Sequence, residues 1–211
     1  MERVKSRLFV GLTAFALAGG VLVAAGPPAG AATEQCGSSC ATLITANYGS
    51  SYVMNMSPGR RLGVGSEIDL AGPGQLASED FLLEYEGTVA EFYADGLVPA
   101  AVGQTWPSYP VYEYLYAPDH NETSLCVGLA SNAANGTDVT LQTCGVNDHT
   151  LWIPMASRAS NGWEPLIAGS DTLVTNPYVL MAGNPGAPLT TQELTQGVTP
   201  SQYWENVYGV L

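Results

Sequence analysis

The sequence predicts an all-β fold made of one small unit of short strands that occurs three times. The clearest copy runs from Leu125 to Ile153, where an apolar strand, a polar turn and an alternating strand lead to a closing apolar segment. A unit of this size cannot bury its apolar face alone, so neighbouring copies must complete the core. The landmark positions of the three units are Val53, Val127 and Val179, then Ile68, Val139 and Leu189, and finally Leu82, Trp152 and Trp204.

A fourth strand in each unit completes the fold assignment. Apolar strands precede the landmark valines at Leu43-Ile44, Tyr114-Leu115 and Leu166-Ile167. Short strands at this spacing, separated by turn residues, are typical of barrels and sandwiches. Three units of four strands narrow the choice to a β-trefoil, with repeats at about 41–86, 111–156 and 163–207 and one insertion at about 87–110.

The insertion is the one segment that the repeat does not explain. Val89, Phe92 and Tyr93 fall three and four residues apart, which predicts a short helix. Thr88 is a suitable cap for that helix, and Gly96 is a suitable end. The fold class that we predict is therefore an all-β trefoil with a short helical and aromatic insertion after the first repeat.

The first 31 residues predict a secretory signal peptide that is cleaved. Three basic residues precede an apolar, Gly/Ala-rich run from about residue 8 to residue 26, and Ala29-Gly30-Ala31 fits a small-x-small cleavage site. A membrane anchor is the alternative, but two prolines follow the run and no second apolar run comes later. We therefore expect an extracellular protein, with a leader at residues 32–40 and the trefoil domain at residues 41–211.

The charge of the mature chain argues against two classes of partner. Three arginines, Arg60, Arg61 and Arg158, stand against 18 carboxylates, a balance of about −15. Such a chain repels phosphate backbones and anionic lipid headgroups, so we expect neither nucleic-acid nor membrane binding. The excess of carboxylates is typical of a soluble exported protein, and we expect a monomer.

Four cysteines follow the signal peptide and allow three pairings in an oxidising compartment. Cys126 and Cys144 lie on adjacent strands of the middle unit, which can bring their Cβ atoms within bridging distance, so this is the preferred pair. Cys36 and Cys40 would then close a small loop in the leader. No ligand-spaced histidine or second cysteine pair accompanies them, so we expect no metal and no cofactor.

No arrangement of residues predicts an enzyme. His120 and His149 each follow an aspartate, but adjacent side chains diverge and cannot make the oriented bond of a catalytic triad. Nucleophile-elbow, zinc-protease and phosphate-loop motifs are missing from the sequence. Glu84 and Glu86 would share a strand face and could suit a retaining glycosidase, although exposed acids on one face are far more often simply solvated.

The middle unit resembles a repeat of the ricin B-chain type lectins. The resemblance rests on Cys126-Val127, on the segment 135–144 that ends at the second cysteine, and on Leu151-Trp152. The cysteine pair within the repeat matches that family. The third unit has the Q-x-W motif of the family in Gln202-Tyr203-Trp204, whereas Thr150 and Asp80 take the place of its glutamine in the other units.

The resemblance implies a secreted carbohydrate-binding module with a non-standard site. In that family a carboxylate two residues after the first cysteine pairs with an aromatic ring and a late side-chain amide. That position falls on Gly128 here, on Met54 or Asn55 in the first unit, and on Leu180 or Met181 in the third. None of these residues is an acid.

The ligand candidates therefore come from the insertion and from the loops of the middle unit. They are Trp106, Tyr109 and Tyr112 as ring platforms, with Asp138, Asn147 and Asp148 as polar partners. Insertions into repeat folds often form a binding face, but rings of this kind can equally cover one end of a barrel. The alternative function is an extracellular protein-binding trefoil, such as a protease inhibitor that presents residues 104–110.

Overall fold

The described part of the chain forms twelve β-strands and three short α-helices in a computed structural model. The structure describes residues 36, 39–57, 61–74, 76–145, 148–173, 175–194 and 199–208, which lie within one compact unit, residues 33–211. The expected signal peptide lies outside the described residues.

The strands of the first repeat are β1 (Cys40–Thr45), β2 (Gly49–Met56), β3 (Ile68–Ala71) and β4 (Phe81–Thr88). Those of the second are β5 (Pro110–Tyr116), β6 (Leu125–Leu129), β7 (Thr137–Thr143) and β8 (Trp152–Pro154). Those of the third are β9 (Leu166–Ala168), β10 (Tyr178–Met181), β11 (Thr190–Glu193) and β12 (Trp204–Tyr208). The helices are α1 (Leu76–Glu79), α2 (Val89–Ala94) and α3 (Ala100–Thr105).

Six strands close a barrel. Antiparallel pairing runs from β12 to β1, β4, β5, β8 and β9 in turn. Reciprocal backbone hydrogen bonds of 2.9 and 3.0 Å between Glu164 and Trp204 connect the segment before β9 back to β12. A closed barrel has no free edge that could pair with another chain.

Three hairpins, β2–β3, β6–β7 and β10–β11, cap one end of this barrel. Asp138 in β7 pairs with Thr190 in β11, and Glu67 forms a bridge to Thr140. The third contact is a 2.8 Å hydrogen bond from the Leu189 N–H to the Ile68 carbonyl. Each hairpin therefore contacts both others, and the predicted β-trefoil is confirmed.

The tryptophans show which positions of the second and third repeats are equivalent. Trp152 donates its indole N–H to the Val127 carbonyl at 2.9 Å, and Trp204 donates in the same way to Leu180 at 3.0 Å. Leu180, rather than Val179, is therefore the counterpart of Val127. Because side chains alternate across a strand, this shift of one residue exchanges the buried and outer faces.

The first repeat shows the same shift. Phe81 is fully buried in the main core, while Leu82 packs beside the small cluster around the Cys36–Cys40 disulfide. Phe81 thus takes the place of the tryptophans, and Leu82 was the wrong landmark. Across β2 and β3, Met54 pairs with Leu70 as Val127 pairs with Leu141 in the second repeat.

The insertion forms two helices that cover the outside of the barrel. The side chain of Thr88 caps α2 together with Glu91, and Gly96 follows the helix with φ of 73°, as the sequence predicts. The second helix, α3, was not predicted because Gly103 lies within it. A Cβ at Gly103 would lie 2.2 Å from Cγ of Tyr93, so only glycine allows the two helices to pack this closely.

Both disulfides are confirmed. Cys126 and Cys144 are 5.0 Å apart between their Cα atoms, and Cys36 and Cys40 are 5.3 Å apart. These values lie in the ordinary range for a disulfide. Among the described residues, no helix combines the length and the apolar character that a membrane span requires.

Candidate functional site

Four side chains line the end of the barrel that lies away from the hairpins, and we call them the tyrosine cluster. They are Tyr85 in β4, Tyr112 in β5, Glu164 before β9 and Tyr208 at the end of β12. Each of them lies two residues along the chain from a residue that faces the barrel interior. These interior residues are Leu83, Tyr114, Leu166 and Asn206. Because strand side chains alternate, the four continue the inward face beyond the core.

The tyrosine cluster is open to solvent. Tyr85 is 60% exposed and Tyr208 is 56% exposed, while Tyr112 is half-buried between them and the core. The rings of Tyr85 and Tyr112 meet edge to face, with centroids 5.7 Å apart. A bulge in β4 directly after Tyr85 turns the strand at this point.

Electrostatic interactions link the four members. Burial raises the pKa of the Tyr112 hydroxyl, and Tyr208, Glu164 and Tyr85 raise it further. Burial alone raises the pKa of the Glu164 carboxyl, which shows that this acid is partly withdrawn from water. Since the Glu164 backbone is hydrogen-bonded in both directions to Trp204 in the core, the carboxyl stands on a rigid support.

This arrangement combines apolar ring faces with a fixed hydrogen-bond acceptor. A tyrosine ring supplies a large, rigid and amphipathic surface. A carboxylate offers two oxygens that accept hydrogen bonds from neighbouring hydroxyl groups. The cluster is therefore suited to a ligand that has one apolar face and several hydroxyl groups.

The structure separates the predicted platform residues. Trp106 is only 8% exposed and packs with Val102, Leu151 and other apolar residues of a second core cluster. Tyr109 is partly buried against the same cluster. A ring that stacks on a ligand must present a free face, which the buried Trp106 does not have. Trp106 and Tyr109 instead pack against the outside of the barrel wall. Tyr112 alone among the three lies in the tyrosine cluster.

The two predicted aspartates lie on the hairpin side of the molecule. Asp138 is exposed in β7, next to Thr190. Asp148 lies before β8, 3.7 Å from the imidazole of His149, and burial raises the pKa of its carboxyl. Asn147 lies outside the described residues. Neither aspartate shares a surface with Tyr112, so the six predicted ligand residues do not form one site.

The pocket position of the ricin-type family holds no acid in any repeat, and it is buried or closed in the first two. The strand register assigns this position to Gly128, Asn55 and Met181 in the three repeats. A Cβ at Gly128 would lie 2.8 Å from the carbonyl oxygen of His149, which leaves no room for an acidic side chain. Asn55 is fully buried. Sugar binding at the family's usual position is therefore not supported.

Three carboxylates gather on the outer face of β4 and β5. Oxygen atoms of Glu84, Glu86 and Glu113 lie within 4.8 Å of one another. Glu113 is 2% exposed and accepts hydrogen bonds from the Gly145 N–H at 2.8 Å and from the Thr150 hydroxyl. Burial raises the pKa of the Glu113 carboxyl. Its contacts connect β5 to the loop before β8, which is a structural role.

Sequence reasoning missed three of the four members of the cluster. Tyr85 lies in the first repeat, whereas Glu164 and Tyr208 lie near the two ends of the third, and the three residues share no motif. Two-residue alternation from Leu83 and Leu166 would have placed Tyr85 and Glu164 on the inward face. The pairing of the first and last strands, which brings Tyr208 opposite Ala41, could not be inferred from spacing.

Comparison with known proteins supports the fold and goes no further. No protein-family model matches the sequence, and no curated protein matches it. The designed threefold-symmetric protein ThreeFoil is similar in structure, with a TM-score of 0.54 and 14% identity, over 80% of this chain and 98% of that one. A salivary protein from Culex quiquefasciatus of the Cysteine and Tryptophan-Rich (CWRC) family has a TM-score of 0.50 and 13% identity, over 85% of this chain and 97% of that one.

Proposed function

We propose that the protein is an exported, non-catalytic, lectin-like module that binds carbohydrate at the tyrosine cluster. The observation that carries this proposal is the pair of exposed rings, Tyr85 and Tyr208, at the same end of the barrel as a rigidly held, partly buried carboxyl, Glu164. The rings would cover the apolar face of a pyranose, and the carboxylate would accept hydrogen bonds from its hydroxyl groups. The net charge of −13 for the full chain opposes phosphate-rich or anionic partners.

The fold is consistent with this function but does not require it. The resemblance of the middle repeat to ricin-type lectins favours a secreted binding module, and the two disulfides fit an extracellular location. One structural neighbour is a salivary protein. The tyrosine cluster would replace the family's usual pockets, since Gly128 cannot be exchanged for an acid without a clash.

A protease inhibitor has less support. An inhibitory loop must protrude, whereas hydrogen bonds and packing fix residues 104–110 to the rest of the fold. The Val89 N–H donates to the Tyr109 carbonyl at 3.0 Å, and the Ala90 N–H donates to the Pro107 carbonyl at 2.9 Å. The burial of Trp106 fixes the same segment to the barrel wall.

Binding of the mature, oxidised chain to a panel of soluble and insoluble polysaccharides tests the proposal. The cluster is an open surface rather than a deep pocket, so we expect weak binding, with Kd on the order of 1 mM for a monosaccharide. The double variant Tyr85→Ala/Tyr208→Ala should lose binding, because both exposed ring faces are gone. Glu164→Gln should weaken it.

Val64→Ala is the matched control, since Val64 is 61% exposed and lies outside the cluster. Its binding should equal that of the unchanged protein. Retention of binding by the double tyrosine variant, with its fold verified by circular dichroism, would show that the ligand binds elsewhere. No competable binding to any member of the panel at millimolar sugar would reject the lectin function.

A further inference from the structure

The small Cys36–Cys40 disulfide lies directly beside a histidine. Nδ1 of His120 is 3.2 Å from Sγ of Cys40, and the histidine has a ring nitrogen within 4.8 Å of both sulfur atoms. The same Nδ1 is 3.5 Å from Oδ2 of Asp80. One imidazole nitrogen thus faces both a carboxylate and a sulfur atom.

The backbone holds His120 in this place. Asp119 and His120 both adopt left-handed conformations, with φ of 52° and 63°, which L-residues other than glycine adopt rarely. The Cys36 N–H donates to the His120 carbonyl at 3.0 Å. Strain of this kind persists where the surroundings impose it, and it is concentrated at functional sites.

Asp80 places a carboxylate beside the imidazole, 3.5 Å from its Nδ1. It is 6% exposed, and it comes directly before β4. Burial raises the pKa of the Asp80 carboxyl, and the nearby His120 lowers it in turn. Glu79 and Asp119 add further negative charge around the pair. A protonated imidazole at this position would stabilise a thiolate on Cys40, because its Nδ1 lies 3.2 Å from the Cys40 Sγ.

The second disulfide has an acid, Glu113, in the place that His120 takes beside the first. A carboxylate oxygen of Glu113 lies within 4.8 Å of both Cys126 and Cys144 sulfur atoms. A negative charge at this distance opposes thiolate formation. The chain thus carries one disulfide beside a histidine that contacts a carboxylate, and one beside a carboxylate.

We propose that Cys36–Cys40 is a thiol–disulfide exchange site that reacts with small external thiols. The thiolate of the external thiol attacks Sγ of Cys36, the sulfur–sulfur bond breaks, and Cys40 leaves as a thiolate beside His120. A second external thiolate then attacks the mixed disulfide on Cys36 and releases the oxidised external disulfide. Cys36 takes up a proton from solvent, so two external thiols are oxidised and one protein disulfide is reduced. Better leaving thiolates leave faster, which sets the direction of attack.

Glutathione redox buffers test this site in the oxidised, mature chain. After acid quenching and alkylation, peptide mass spectrometry measures each disulfide separately. We expect Cys36–Cys40 to open at glutathione ratios that leave Cys126–Cys144 closed, and the trapped intermediate to carry glutathione on Cys36.

His120→Asn removes the imidazole, and asparagine tolerates the left-handed backbone at this position. It should require a buffer about tenfold more reducing, equivalent to about 30 mV. His149→Asn is the matched control, since His149 also follows an aspartate but faces Asn132 at 3.0 Å, and it should behave as the unchanged protein. If the histidine variant does not fold, the position of glutathione in the unchanged protein, on Cys36 or on Cys40, decides the question. Equal opening of both disulfides, glutathione on Cys40, or no shift in a folded His120→Asn would overturn the proposal.

Discussion

The two disulfides of this protein differ in the side chains that lie beside them. Cys36–Cys40 closes a small loop at the start of β1, beside His120 and Asp80. Cys126–Cys144 joins β6 to the end of β7 within the middle repeat, beside Glu113. The difference teaches that cysteine spacing predicts which bonds form, whereas the neighbouring charges decide how readily a bond exchanges.

Removal of Cys126–Cys144 should lower the free energy of unfolding more than removal of Cys36–Cys40. A disulfide stabilises mainly through the loop that it closes in the unfolded chain, and the separations are 18 residues for Cys126–Cys144 and 4 for Cys36–Cys40. We expect a loss of about 3 kcal/mol for Cys126→Ala/Cys144→Ala and about 2 kcal/mol for Cys36→Ala/Cys40→Ala. Urea unfolding measures both free energies, and an equal loss would contradict this comparison.

Asp171 is a buried acid, like Glu113, but its hydrogen-bond partners are backbone N–H groups. It is fully buried, and burial raises its pKa to about 6, against hydrogen bonds from Leu173, Tyr178 and Thr172. Because the folded-state pKa is raised, the folded protein binds more protons than the unfolded chain between about pH 4 and pH 6. The free energy of unfolding should therefore fall as the pH rises through this window, by up to about 3 kcal/mol from this group.

The variant Asp171→Asn isolates that contribution. It should lose this part of the pH dependence in urea unfolding at a series of pH values from 4 to 7, while Asp138→Asn at an exposed position should keep it. An unchanged slope in Asp171→Asn would assign the pH dependence to other carboxyls whose pKa burial also raises, such as Glu113 and Asp69.

Glu113→Gln should reduce the contrast between the two disulfides. Glutamine keeps an oxygen that can accept the Gly145 N–H, but it removes the negative charge beside Cys126 and Cys144. We expect Cys126–Cys144 to open in a slightly less reducing glutathione buffer than before, by less than the tenfold change expected at His120. A shift toward more reducing buffers would contradict the electrostatic account.

Much of the architecture could be predicted from local patterns. Threefold recurrence of short strands, turn residues and closing aromatic residues indicated the trefoil, and the spacing around Val89 indicated α2. The errors were errors of register, at Val53, Val179 and Leu82. They have one cause: alternation in strands has a period of two, so a shift of one residue keeps a plausible apolar pattern and exchanges the faces.

The candidate site could be predicted only in part. Tyr112 was identified because its strand alternates tyrosines, but Trp106 was assigned to ligand binding on aromatic character alone. A tryptophan in a sequence can be a platform or a core residue, and only burial distinguishes them. The cluster of Val102, Leu151 and Ile153 around Trp106 made it core.

The sequence by itself determined the all-β class, the three repeats, the helix α2 and the cysteines that pair, because each depends on residues close together in the chain. Only the tertiary structure decided the rest. Closure of the barrel brings Tyr85, Tyr112, Glu164 and Tyr208 to one open end, and it brings His120 to a disulfide about 80 residues earlier. Such contacts depend on strand pairing between distant segments, and no local pattern encodes which charges those pairings place side by side.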